Sequence, residues 1–224
     1  CKGITAFRKR GGSILATRDH MDLGSSLCSL AGVGAAHFSH TKNPDPDPDC
    51  HRIDAPYTTY TPYPNYHSGQ NGNYQTITRI EPVHKLLQNP QSPSGYIDLF
   101  PAHPHEGAVG VTETMSHARV IATGKSLVTE REFKLAVALD REVDEQGNTL
   151  DRAVAESTFH HFCDHNWDIK SGCPNFVDEP PGNLMQTEPR AIANIQEYIQ
   201  NLALWLAPER YSRLRGITVK RSNA

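Results

Sequence analysis

The sequence predicts a single α/β domain over residues 1–224, with helices packed on both faces of a largely parallel sheet. Three observations carry this expectation. A glycine-led, β-prone run, Gly11-Gly12-Ser13-Ile14-Leu15-Ala16-Thr17-Arg18, passes directly into a segment with helical spacing. Six further short strand candidates follow, at 75–81, 96–99, 109–115, 118–122, 132–139 and 153–158. A long amphipathic segment, with Ile192, Ile195, Ile199, Leu202 and Leu206 at helical spacing, closes the pattern.

Taken in order, the chain opens on Cys1 and a stretch that reads as the end of a helix running into the first strand. The expectation is therefore of a fragment lacking one or more N-terminal strands. Residues 21–30, with Met21, Leu23, Leu27, Cys28 and Leu30, fit a short helix closed by Ala31-Gly32. Residues 41–74 break the pattern. Alternating Pro and Asp from Pro44 to Asp49 excludes a helix or central strand, and the tyrosines that follow favour packing over disorder. This stretch reads as a long ordered Pro/Tyr-rich loop, suited to covering an active site. Residues 140–151, with Gly147-Asn148, read as a hairpin connection at one edge of the sheet. For the terminal helix, Thr187 is the expected N-cap and Pro208 lies beyond the end.

Composition narrows the functional classes. The formal net charge is −3 and the charged fraction 21%, which leaves no basic footprint for nucleic acid or for an anionic membrane. No apolar run reaches the length of a bilayer span. Five irregularly spaced cysteines, with no C-x-x-C pair, point to a reducing, cytoplasmic compartment, although a Cys163–Cys173 pair would close a short loop.

The most informative feature is the placement of the 12 histidines. Asp19-His20 sits on a strand-to-helix turn, where the carboxyl ends of strands bind ligands in open α/β sheets. It is an acid/base or substrate-holding pair, or else Asp19 simply caps the helix and His20 packs. His37 and His40 flank Phe38-Ser39 and serve either the site or the backbone. His103-Pro104-His105-Glu106-Gly107 offers two imidazoles and a carboxylate on a stiffened turn. A divalent metal at His103, His105 and Glu106 would need further ligands, and the spacing matches no established zinc signature; the alternative is a polar turn. His160 and His161 follow the strand candidate at 153–158, and adjacent residues there should point in opposite directions, one to the site and one to the core or a neighbouring loop. Asp164-His165-Asn166-Trp167-Asp168 is a polar loop with an aromatic anchor, suited to stacking a sugar or equally to an ordinary capped loop. Cys28 lies in an apolar face; Cys163 lies beside histidines without a recognisable Cys/His arrangement.

The order of these motifs resembles the trehalose-utilisation (ThuA-like) family of the class I glutamine amidotransferase-like superfamily. The resemblance runs over Gly11–Ala16, Asp19-His20, the glycine-rich segment 30–40 ending in histidines, Glu81-Pro82-Val83-His84-Lys85-Leu86-Leu87 (with Lys85 where the family has proline), His105-Glu106-Gly107, residues 152–161 and the helix through Trp205. It implies a flavodoxin-like fold. The superfamily's elbow cysteine is absent and His20 lies near its position, so amidotransferase chemistry is not implied.

These readings converge on a site at the strand ends. Asp19, His20, Glu106 and His160 are the candidate catalytic residues, with His20 or His160 as general base and Glu106 as partner carboxylate. His37, His40, His103, His105, His161 and Trp167 are the candidate substrate-binding residues. The expected ligand is a carbohydrate or polyol, acted on by a hydrolase that needs no cofactor. The alternatives are a non-catalytic sugar-binding or regulatory module and a metal-dependent hydrolase.

Overall fold

The computed structural model describes residues 2–20, 54, 65–111, 116–172 and 179–207. The expected helix at 21–30, His37, His40, Cys28, Cys173 and most of the expected loop at 41–74 lie outside the described residues.

Helix α1 (Lys2–Lys9) leads into β1 (Ile14–Thr17), matching the sequence expectation of a helix end entering a strand. Gly11 takes φ 83°, and the amides of Gly11 and Gly12 return to the carbonyls of Arg8 and Phe7. A residue without a Cβ closes the helix there at no steric cost. The remaining strands are β2 (Tyr74–Thr76), β3 (Thr78–Arg79), β4 (Leu99–Pro101), β5 (Ala118–Lys125), β6 (Glu132–Leu139), β7 (Glu142–Val143), β8 (Thr149–Leu150) and β9 (Ala153–Glu156).

The main sheet has the order β1-β9-β6-β5-β3. It is mixed rather than largely parallel: β1 pairs β9 in parallel, while β9–β6, β6–β5 and β5–β3 are antiparallel. For β5 and β6 the cause is connection length. Parallel neighbours need a crossover of a dozen or more residues, whereas consecutive strands joined by a compact turn fold back on themselves. The turn after β5 is tied by Ser126 N donating to Arg131 O at 2.8 Å and Glu130 N donating to Ser126 O at 2.9 Å. The link from β6 to β9 carries the β7–β8 hairpin, whose Gly147 takes φ 79°; the hairpin is expected from Gly147-Asn148, but it forms a separate two-stranded sheet between neighbouring strands β6 and β9 and not an edge of the main sheet. The candidate at 75–81 divides at Ile77 into β2, which pairs β4, and β3, which joins the main sheet. Residues 109–111 form no strand.

Helix α2 (Asp164–Trp167) and helix α3 (Leu184–Thr187) are single turns, and α4 (Pro189–Leu206) is the long helix. Its N-cap is Glu188, not Thr187: the Glu188 carboxylate accepts from Arg190 N and Pro189 occupies the first turn. A carboxylate suits the positive end of the helix, and proline there lacks an amide that would go unpaired anyway. Thr187 instead ends α3. The buried stripe of α4, including Ala191, Ile195, Tyr198, Leu202 and Trp205, joins Ala136, Ala138 and Val154 in one core cluster and contacts β4 and the turn at Lys85–Leu87. Asn194 reaches out of the stripe to accept from the amides of Asp98 and Leu99 at 2.6 and 3.1 Å, tying α4 to β4. The opposite sheet face forms a second cluster from Ala16, Val109, Val137, Leu139, Ala153 and Ala155. Burial on both faces explains why β6 and β9 read as nearly continuous apolar runs. Among the described residues no helix contributes to that second cluster. No described helix is long and apolar enough to cross a membrane.

Candidate functional site

Three backbone segments meet at the carboxyl ends of β1 and β9. Arg18 N donates to Glu156 O at 2.9 Å, which continues the parallel pairing one step beyond β1. That register sets Asp19 beside Thr158, whose hydroxyl donates to Asp19 Oδ1 at 3.2 Å. The third segment is the turn through residues 103–107. Its Gly107 lies so close to the strand ends that an added Cβ would stand 2.3 Å from the carbonyl oxygen of Asp19 and 2.8 Å from that of Ser157. Glycine is therefore required there by space. Behind the turn, Tyr66 and Glu106 exchange backbone hydrogen bonds, each at 2.8 Å. Residues 65–68 of the expected loop are thus a buried prop for the site, and the Tyr66 ring stacks on Phe133.

This framework gathers Asp19, His20, His103, His105 and His160. The Nε2 atoms of His20 and His160 lie 3.6 and 3.7 Å from Asp19 Oδ2. The rings of His103 and His160 stack at 3.5 Å between centroids with 14° between planes. His105 stands edge-on to both His20 and His103, at 5.9 and 5.7 Å. His165 meets His160 edge-on at 5.6 Å. Asn71 Oδ1 lies 2.7 Å from His103 Nδ1. An amide oxygen only accepts, so Nδ1 carries the proton and Nε2 keeps a lone pair. To one side, His67 Nε2 and Glu179 Oε2 form a buried pair at 2.8 Å.

Burial keeps His20, His103, His105 and His165 neutral. Burial, reinforced by the neighbouring His160, His105 and His20, holds His103 well below the ordinary histidine range. Burial also lowers His105 to about 4, with His20 adding to the effect and Asp19 opposing it. His20 is lowered by burial against the pull of Asp19, and His165 by burial and His160. Each of these groups thus offers a lone pair at neutral pH.

A second layer lies behind the first. Glu106 and His161 are fully buried, with His161 Nε2 donating to Glu106 Oε1 at 2.7 Å. Gln75 donates to Glu106 Oε2 at 2.7 Å and Ser157 Oγ to Oε1 at 3.3 Å. The other nitrogen of His161 faces Glu156 Oε2 at 3.5 Å, and Tyr198 donates its hydroxyl to Glu156 Oε1. Burial alone would push His161 down, but the charge and hydrogen bond of Glu106, with Glu156 behind, lift it to about 9. Burial raises Glu156 and Tyr198.

The placements sharpen the sequence reading. His20, Asp19, His103, His105 and His160 come together. Glu106 and His161 do not face a ligand: their polar atoms are spent on one another and on Gln75, Ser157 and Glu156. Trp167 packs half-buried against the main core and donates Nε1 to His161 O at 2.8 Å, so it pins the 160–162 turn instead of offering a stacking face. The metal set His103, His105 and Glu106 is not assembled, because the Glu106 carboxylate turns into the core. Asp19, His103 and His160 instead each offer a ligand atom within 4.8 Å of the others, as do His160, Cys163 and His165. Cys163 is a free thiol. Asn71, Thr158, Gln75, Glu156 and Tyr198 were not singled out from the sequence. Only Glu156 carried a signal, as a lone carboxylate ending an otherwise apolar strand.

No family model, curated protein or solved structure matches this chain.

Proposed function

We propose that this chain is a ThuA-like cytoplasmic hydrolase acting on a carbohydrate or related polyol. One observation carries the reading: a single carboxylate, Asp19, faces imidazoles from two different strand ends, His20 and His160. His20 is the general base. It is held neutral by burial, so it can take a proton from water, and its side chain keeps 16% of its surface exposed. The water oxygen bonds to the electrophilic carbon, the bond to the leaving oxygen breaks, and a protonated imidazole returns the proton to that oxygen. Asp19 stabilises the imidazolium in between. His105 and His103 line the same place and supply hydrogen bonds to hydroxyl groups. The ordered motif likeness to the ThuA-like family favours a sugar-like substrate.

The test is product analysis on a panel of disaccharides, sugar esters and polyols, with His20→Ala and His160→Ala beside the parent chain. Turnover should fall by about 10²–10⁴-fold in His20→Ala. Unchanged turnover in both variants removes the proposal. Saturable sugar binding with no product replaces it by a non-catalytic binding module.

A further inference from the structure

We infer that Asp19, His103 and His160 bind one first-row divalent transition cation of the zinc class. This goes beyond the hydrolase reading and does not depend on it, because the ion needs no sugar to bind.

The donor set comes first. Two imidazoles and one carboxylate are what zinc takes in sites that keep a coordination position open. The spacing agrees. Two donors about 2.1 Å from a shared tetrahedral ion stand about 3.4 Å apart. His160 Nε2 lies 3.7 Å from Asp19 Oδ2, and all three ligand atoms fall within 4.8 Å of each other. That first separation is too long for a good hydrogen bond and close to the spacing of two ligands on one ion.

The surroundings are arranged as the outer partners of a metal site usually are. Asn71 accepts the Nδ1 proton of His103 at 2.7 Å, which leaves Nε2 as the donor for an ion. Thr158 donates to Asp19 Oδ1 and so leaves Oδ2 as the oxygen facing the imidazoles. The buried Nδ1 of His160 has no partner among the described residues, so His160, unlike His103, lacks that outer contact. Asp19, His103 and His160 are all buried, so the cluster is a built interior site rather than a surface scatter of charges.

The overlapping set His160, Cys163 and His165 is the weaker candidate. The Cys163 thiol instead donates to Phe159 O at 3.6 Å, and Cys163 and His165 are only partly buried.

The decisive experiment titrates zinc(II) into the chelator-treated full chain by calorimetry, and cobalt(II) by visible absorption, with circular dichroism as the folding control. One ion per chain is expected, at a Kd of about 1 μM or tighter. Asp19→Asn and His103→Ala should each weaken binding more than about 100-fold, and Asn71→Ala about 10- to 100-fold. His165→Ala and Cys163→Ser should leave it unchanged. Asn71→Ala touches no ligand directly, so it keeps the test open if a ligand variant fails to fold. The inference is overturned if the folded chain shows no saturable binding up to about 1 mM zinc. It is equally overturned if Asp19→Asn and Asn71→Ala bind as the parent does, or if His165→Ala or Cys163→Ser abolishes binding. Failure of this titration leaves the His20-dependent turnover test standing, and the reverse also holds.

Discussion

His161 and Glu106 form a fully buried pair 2.7 Å apart, and their chain neighbours His160 and His105 belong to the polar site. The pair therefore couples the site to the core: the turn carrying His103 and His105 is anchored at Glu106, and the turn carrying His160 at His161. Glu106→Gln removes one of two carboxylates facing a buried imidazolium. Breaking a buried pair on one side costs about 3–5 kcal/mol. Urea unfolding should register a loss of that order, and a cost below about 1 kcal/mol would show that the pair is not an anchor.

Gly107→Ala tests the close approach of the turn to the strand ends. Its Cβ would meet backbone oxygens of Asp19 and Ser157, which have no free rotation to escape. The expected cost is about 1–3 kcal/mol by overpacking, with a displaced Asp19. Thermal melts should show the loss, and heteronuclear NMR should place the largest shifts at Asp19, His20 and Thr158. A parent-like melt with unmoved Asp19 signals would contradict the packing described.

Tyr198→Phe isolates the hydroxyl that α4 donates to Glu156. The ring stays packed against Phe100, at 4.8 Å between centroids, while a buried carboxylate loses its donor. A cost of about 1–3 kcal/mol in chemical denaturation is expected. No change would mean that the hydroxyl is dispensable to the network.

His84 lies outside the site and gives a pH prediction of known sign. Its ring stands edge-on to Trp205 at 5.2 Å and its Nδ1 accepts from Leu86 N at 3.3 Å. Burial lowers it to about 4, helped by Arg119, Lys85 and Arg152 and opposed by Asp140. The folded chain thus resists a proton that the unfolded chain accepts below about 6.5. The stability is present above that pH and is lost as pH falls from about 6.5 towards 4. His84→Asn keeps an acceptor at the turn but removes the titration. Its melting temperature should fall less steeply over that window than the parent's, and identical slopes would count against the assignment.

What could be read in advance follows from range. The α4 helix is written locally, in apolar spacing that α-helical geometry turns into a buried stripe. The opposed directions of His160 and His161 follow from adjacency, and the structure realises them on a 3₁₀ turn. Strand direction is different in kind. Which of β5, β6 and β9 run antiparallel depends on how compactly their connections close, and periodicity does not encode that. The inward turn of Glu106 was hidden for the same reason. A glutamate between histidine and glycine looks like a ligand until Gln75, Ser157 and His161, from two other segments, are seen to claim it.

The junction of β1 with β9 has a kinetic consequence. These strands are far apart in sequence, so bringing Asp19 to Thr158 closes a very long loop, whose entropy must be offset by contacts formed only at the end. The β5–β6–β9 antiparallel unit has no such debt and can assemble ahead of it. Because β1 pairs on one side only among the described strands, it is also the strand whose local opening is easiest. Hydrogen exchange should find its amides less protected than those of β6, and heating should separate Asp19 from Thr158 before the remainder of the sheet melts.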